Sequence, residues 1–273
     1  MNGPRVLLAG GGSAGHVSPL LATATQISRL APGSEVLVLG TADGLEADLV
    51  PAAGYELVTI DKVPFPRRPD RAALRFPVRF GTTLREVRAL LRERRIDVVA
   101  GFGGYVCPPA YLTAVLSRTP YVVHEANRRP GLANRLGARR AEAVLTAFEG
   151  GSLPGARRIG MPMREAIAHL DRSGRREDAV RGFGLDPARP VMLVTGGSLG
   201  AQRLNESVSA AAERFTEAGA QILHITGRGK TAGLTERPGY RIVEYVLAME
   251  DAYAAADLAL TRAGAGTVSE LTA

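Results

Sequence analysis

Tryptophan is missing from this chain of 273 residues, and phenylalanine and tyrosine are sparse, seven of each. A protein that stacks nucleic-acid bases on aromatic side chains needs more of them. Cys107 is the one cysteine. A single thiol excludes a disulfide framework and a thiolate metal site, and fits a reducing compartment. Lysine is nearly absent too: with only Lys62 and Lys230, the positive charge is carried by arginine. No window approaches 18 unbroken apolar residues, so no membrane-spanning helix is expected. The apolar run at residues 6–9 meets glycine at once, so no signal-peptide core is expected there. Any membrane role is therefore read as peripheral.

The charge that is present is unevenly placed. Residues 1–160 hold 21 Arg and Lys against 13 Asp and Glu, a net of +8, whereas residues 161–273 hold 13 against 14, a net of −1. Ten arginines lie between Arg67 and Arg95, opposed only by Asp70, Glu86 and Glu93. Such a field attracts nucleic acid, anionic lipid or a phosphorylated substrate, and is equally what a solvated helix face in an arginine-rich protein would show.

Apolar β-rich runs recur at residues 5–9, 35–39, 56–60, 97–100, 121–124 and 143–146, and again at 191–195, 221–226, 240–244 and 258–260. Helical patterns fill the gaps, at 17–30, 46–53, 80–94, 108–117, 131–138, 175–183, 204–218, 249–255 and from 267 onward. Strands alternating with helices predict βαβ units, an α/β class and a mostly parallel sheet. The length suggests two domains, placed at 1–160 and 161–273 by the Pro and Gly around residues 154–162. The second half offers four strands, where a doubly wound domain has five or six, so it is expected to be incomplete at its C-terminal end.

Two segments repeat one device. Residues 6–16 and 191–201 are each an apolar run, a glycine-rich turn and a helix start. That sequence of parts places backbone N–H groups against a phosphate, with glycine removing the Cβ that would block approach. Two such halves facing each other suit an enzyme whose donor carries a diphosphate. In the first loop, Gly-Gly-Gly-Ser-Ala-Gly-His over residues 10–16, His16 stands as a general base or a phosphate donor. A structural hydrogen bond at a helix start is the plain alternative. Gly-Phe-Gly-Gly-Tyr-Val-Cys-Pro-Pro at 101–109 sets two prolines at a helix start after a strand. His124, Glu125 and Asn127 cluster after the run 121–124, where open α/β sheets bind ligands, or where a buried polar network forms. Ser198, in the second glycine loop, offers a hydroxyl to a phosphate. At 261–270, Arg262 precedes a further helix start; Thr267 to Glu270 fits a capping box, and Glu270 equally suits both hydroxyls of a ribose.

Together these motifs resemble the MurG family of bacterial N-acetylglucosaminyltransferases of peptidoglycan synthesis, from Gly10 to Glu270. The pieces that carry the resemblance are residues 10–16, 40–43 with 46–48, 101–105, 124–127, 196–201 and 262–270. It implies the GT-B fold, two Rossmann-like doubly wound domains with an interdomain cleft. It implies transfer of N-acetylglucosamine from UDP-N-acetylglucosamine (UDP-GlcNAc) to lipid I, giving lipid II, with inversion and without a cofactor or metal. Inversion needs one base on the far side of the sugar, for which His16 is the candidate and Glu125 the second candidate. By the same resemblance, the donor is assigned to Ser13, Ala14, Gly15, Asn127, Arg164, Ser198, Val246, Arg262, Ala265, Gly266, Thr267 and Glu270. Ser198 and Ala265–Thr267 take the diphosphate, Glu270 the ribose and the backbone near Val246 the uracil. The loop at 13–16 and Gly103, Gly104 and Tyr105 face the acceptor diphosphate.

The implied partners are UDP-GlcNAc, lipid I, an anionic membrane surface and other cell-wall and division proteins, with no nucleic acid. The implied location is peripheral, at the cytoplasmic face of the bacterial plasma membrane; residues 63–68 and 75–80 interleave apolar and cationic side chains, so docking through residues 63–80 is expected. This chain departs from the family pattern at Ser13 and Ala14, at Met161 to Arg164 and at Leu199. It lacks the family's downstream donor-sugar glutamines, so weak donor-sugar binding is expected of it. A UDP-sugar transferase with another acceptor, a fragment that binds only nucleotide, and a basic nucleic-acid binder remain as alternatives.

Overall fold

The structure, a computed structural model, describes residues 3–66, 68, 70–198 and 200–273. The chain forms two compact units, Met1–Arg164 and Glu165–Ala273. The division falls after Arg164, not after residue 160, so Arg164 closes the first unit.

The first unit runs β1 (Arg5–Gly10), α1 (Ala14–Leu30), β2 (Glu35–Gly40), α2 (Glu46–Ala52), β3 (Glu56–Thr59), α3 (Arg71–Glu93), β4 (Val98–Gly103), α4 (Cys107–Ser117), β5 (Tyr121–Glu125), α5 (Leu132–Gly137), β6 (Ala143–Thr146) and β7 (Ala156–Arg158). Its seven strands are parallel, in the order β3-β2-β1-β4-β5-β6-β7. Side chains alternate across a strand, so β1 feeds both faces. Leu7 and Ala9 join a core with Leu37, Leu39, Val99 and Tyr111, whereas Val6 and Leu8 join Leu20, Val38 and Phe102 on the other side. Continuous apolar strands covered on both faces are the pattern of parallel sheets.

The second unit runs α6 (Glu165–Ala168), α7 (Arg172–Gly182), β8 (Val191–Thr195), α8 (Gln202–Glu217), β9 (Gln221–Ile225), β10 (Tyr240–Val243), α9 (Met249–Ala255), β11 (Leu258–Thr261) and α10 (Ala265–Leu271). Its four strands are parallel, ordered β10-β9-β8-β11. Asp257, just before β11, binds Arg172, Arg176 and the Val191 amide. The Arg176 hydrogen bond holds its carboxyl at about 2, tying α7 to the sheet. His224 is fully buried between Tyr240 and Asn205, and burial pushes its imidazole down to about 4.

In each unit the strand order reverses at one place, between β1 and β4 and between β8 and β11. Chains leave the sheet in opposite directions there, which opens a crevice at the carboxyl ends of the strands.

Candidate active site

In the first unit the loops after β1 and β4 interlock at that crevice. Gly104 has φ +93°, and a Cβ on it would lie 2.6 Å from the Gly11 carbonyl oxygen. Gly103 has φ +108°, and a Cβ there would lie 2.8 Å from His16 Nε2. No other residue fits either position. Cys107 fastens the same junction: its thiol accepts from the Gly103 amide at 3.1 Å and donates to the Ala9 carbonyl at 3.2 Å. Burial pushes that thiol up to about 11, so it serves as a tie and not as a nucleophile.

His16 stands in the first turn of α1, with Nδ1 2.9 Å from the Gly11 carbonyl oxygen. A carbonyl only accepts, so Nδ1 carries a hydrogen, and in the neutral imidazole the lone pair is then at Nε2. That tautomer is the one a general base needs. Ser13 is the N-cap of α1; its carbonyl accepts from His16 and Val17, and its hydroxyl makes no cap bond. Ala14 and Gly15 open the helix. Tyr105 is exposed, with the Lys62 ammonium 5.3 Å from its ring centre.

After β5 the structure holds Glu125 in a hydrogen-bond network. The carboxylate is buried and accepts four hydrogen bonds: from the Asn127 amide (2.8 Å) and side chain (3.0 Å), the Gly131 amide (3.0 Å) and the Asn134 side chain (3.0 Å). Four donors occupy its lone pairs, which leaves little to take a proton from substrate. Glu125 instead holds the loop that carries Asn127, itself exposed. Asn134 and Tyr111 complete this network, with the Tyr111 hydroxyl donating to Asn134 at 2.8 Å. Neither drew notice in the sequence, because each lies inside an ordinary helical pattern. His124 is buried against Phe102 with Nε2 3.2 Å from the Gly160 carbonyl, and burial lowers its imidazole.

The second unit repeats the plan. Gly197 and Gly200 sit at φ +77° and +64°, and a Cβ on Gly200 would lie 2.2 Å from the Thr226 carbonyl. Ser198 is half-buried in this turn, which leads into α8; Leu199 lies outside the described residues. β8 pairs with β11 through Thr195 and Thr261, so the turns after both strands share one edge. Arg262 Nε donates to the Gly196 carbonyl at 2.9 Å, joining the two turns. Ala265, Gly266 and Thr267 form the first turn of α10, and Val246 follows β10 on the same edge.

The capping box expected at Thr267 does not form. The N-cap of α10 is Gly264, so Thr267 is already inside the helix. Glu270 accepts from the Tyr253 hydroxyl at 2.6 Å. Tyr253, on α9, was missed because nothing at its own position marks a partner one helix away. Among the described residues, no three His, Cys, Asp or Glu side chains gather as a metal site requires.

Residues 6–146 match the glycosyltransferase family 28 N-terminal domain and residues 191–273 the family 28 C-terminal domain. The UDP-N-acetylglucosamine–N-acetylmuramyl-(pentapeptide) pyrophosphoryl-undecaprenol N-acetylglucosamine transferase of Paenarthrobacter aurescens (strain TC1) is 54% identical over 273 residues, covering 98% of this chain and 73% of that protein. The same-named protein of Leifsonia xyli subsp. xyli (strain CTCB07) is 55% identical over 270 residues, covering 98% and 75%. Among solved structures, the MurG of Acinetobacter baumannii aligns with a TM-score of 0.69 at 28% identity, over 98% of this chain and 75% of that one. The UDP-GlcNAc 2-epimerase of Neisseria meningitidis, bound to UDP-GlcNAc, aligns at 0.67 with 12% identity, over 96% and 78%. At that identity the likeness is one of fold alone.

Proposed function

The chain belongs to glycosyltransferase family 28, and from that membership we propose that it transfers N-acetylglucosamine from UDP-GlcNAc to the pyrophosphoryl-undecaprenol-linked N-acetylmuramyl pentapeptide, lipid I, with inversion. The fold is GT-B. His16 Nε2 removes the proton of the acceptor C4 hydroxyl as its oxygen attacks the anomeric carbon from the face opposite UDP. The bond to the UDP oxygen breaks, and the diphosphate gains charge as it leaves. The amides at the start of α8, Ser198, Arg262 and the turn Ala265–Thr267 stand where that charge develops, so their stabilisation grows in the transition state. Val246 takes the uracil edge and Glu270 the ribose. Ser13, Ala14, Gly15, Gly103, Gly104 and Tyr105 form the acceptor-diphosphate cradle, with Asn127 and Arg164 as further contacts. UDP-GlcNAc is a substrate, and no step runs through a cofactor.

The observation that carries this reading is the contact of His16 Nδ1 with the Gly11 carbonyl, which turns Nε2 toward Gly103, a glycine that can have no side chain. Transfer of labelled N-acetylglucosamine to a lipid I analogue tests it. His16→Ala is expected to lower kcat by roughly 10²–10⁴, the cost of a lost general base, with the UDP-induced rise in melting temperature unchanged. A near-normal kcat removes His16 from the role.

Docking to an anionic membrane belongs to the same proposal. No helix among the described residues is long and apolar enough to cross a membrane, and the acceptor of the relatives named above carries an undecaprenol. We place the docking surface on α3, with the enzyme peripheral at the cytoplasmic face.

A further inference from the structure

We propose that Glu46 is a positioning residue for His16, acting through the single peptide group between Gly11 and Gly12. The proposal rests on His16 being the base. Glu46 lies in the first turn of α2 and is fully buried. Its Oε1 accepts from the Thr41 amide at 2.9 Å and the Thr41 hydroxyl at 2.7 Å. Its Oε2 accepts from the Gly12 amide at 2.8 Å. The carbonyl of that same peptide group, Gly11 O, accepts His16 Nδ1–H at 2.9 Å. Carboxylate, peptide and imidazole thus form one chain of hydrogen bonds that ends at the reactive nitrogen.

The backbone is shaped around this carboxylate from three sides. A Cβ on Gly11, Gly40 or Gly44 would lie 2.2, 2.6 or 2.2 Å from a Glu46 side-chain atom. Burying a carboxylate is costly unless its oxygens are satisfied. Tying down a glycine loop needs only one neutral acceptor, such as a serine or asparagine side chain. A negative charge at this place does something more. It pulls on the Gly12 N–H and shifts electron density toward the Gly11 oxygen, because linked hydrogen bonds polarise one another. The oxygen becomes a better acceptor for Nδ1–H. That holds the tautomer and stabilises the imidazolium formed when Nε2 takes a proton. A carboxylate directly behind a histidine does this in serine hydrolases; here one peptide group stands between them.

Among the described residues, these titratable groups stand on the elements around this loop. Glu46 stands on the α2 side. Cys107 and Tyr105, with Lys62 over the Tyr105 ring, flank Gly103 and Gly104. His124 and Glu125 stand at the end of β5, and Glu125 is held in its own network. Of these, Glu46 alone reaches the peptide that binds His16.

The test is Glu46→Gln, whose amide cannot accept at both ends, compared with Thr41→Val, which leaves the Gly12 bond in place. Nitrogen NMR reads the His16 tautomer, and the pH profile of kcat/KM reads its protonation. Wild type is expected to show Nδ1–H. Glu46→Gln is expected to admit the Nε2–H tautomer, to move the acid limb to lower pH and to lower kcat about 10- to 100-fold, the scale of losing the hydrogen-bond partner behind a metal-bound histidine. Thr41→Val is expected to melt earlier with tautomer and acid limb unmoved. An unmoved tautomer and limb in Glu46→Gln overturn the relay, and if His16→Ala is still inactive the base reading survives. Should Glu46→Gln not fold, the wild-type spectrum decides: Nε2–H there, or a Gly12 amide proton lacking the downfield shift of a bond to a carboxylate, overturns the proposal, and Nδ1–H together with that downfield Gly12 amide upholds it.

Discussion

Two side chains with hydrogen-bond partners, Glu270 and His224, yield predictions at the level of single residues. Glu270 is aimed by the Tyr253 hydroxyl at 2.6 Å, across from α9 to α10. Glu270→Ala is expected to weaken UDP about tenfold or more, since a hydrogen bond to a charged group contributes roughly 1.5–3 kcal/mol. Tyr253→Phe should lose a smaller share, through misalignment. Because Gly264 caps α10, the change should cost little stability in the absence of nucleotide. Thermal melts with UDP and with its 2′,3′-dideoxy analogue separate the cases: an unchanged UDP shift in Glu270→Ala rejects the ribose role.

His224 gives the pH dependence. Burial depresses its imidazole from 6.5 to about 4, so between those values the unfolded chain binds a proton that the folded chain refuses. Stability therefore falls as pH drops from about 6.5 toward 4. His124 is lowered in the same sense, whereas Asp257, at about 2, titrates below that window. Urea midpoints at pH 7.5 and 5 should differ more in wild type than in His224→Gln. An equal drop in both would show that His224 contributes nothing to it.

At the level of elements, what was legible in the sequence followed from local rules. The ten strands expected from apolar runs are all present, because a strand covered on both faces needs an unbroken run of them. The eleventh, β7 (Ala156–Arg158), is exposed throughout and arginine-rich. Its place comes from pairing with β6, which no pattern within residues 156–158 announces. α3 was expected from residue 80. It starts at Arg71, where the Asp70 side chain accepts from the Ala73 amide, and Pro77 is carried inside the helix. Glycine loops were legible for the same reason as strands: positive φ and close approach leave glycine alone able to occupy those positions. Glu46 was visible as part of a motif, but its purpose was not. Its partners come from the β1 loop and the β2 loop, and only the fold brings them to one carboxylate. The network around Glu125 was not legible for a related reason. A polar residue at a strand end suggests chemistry, and the donors that saturate it, Gly131 and Asn134, lie in a loop and helix with no mark of that duty.

The molecule as a whole separates its charge: the first unit carries the excess, and α3 carries much of it. Residues 71, 74, 75, 78 and 85 fall on one face at helical spacing. On that face Leu74 is 81% exposed and Val78 74%, interleaved with Arg71, Arg75 and Arg85. Phe65, Phe76 and Phe80 do not face outward with them; their ring centres lie 5.3–6.0 Å apart, packing the segment before α3 against the helix. Arg79 is likewise engaged, with Asp61 and the Lys62 carbonyl, and Arg67 lies outside the described residues. The face continues into a groove of about 810 Å³ lined by Arg85, Arg88, Arg92, Arg95 and Arg118, with exposed Leu116 at its wall. In the proposed docking, Leu74 and Val78 would enter the headgroup boundary while guanidinium groups pair with anionic lipid, at about 1 kcal/mol per basic residue near the surface. Co-sedimentation with phosphatidylglycerol vesicles should be strong at low salt and fade as salt screens the arginines. Leu74→Ser with Val78→Ser should lower the binding at every salt concentration, and Arg71→Ser with Arg75→Ser should lower it mainly at low salt. Phe76→Leu, directed at the aromatic packing, should affect melting more than lipid. If vesicles are not bound at low salt, or all four changes on the α3 face leave binding as it was, the membrane does not dock there.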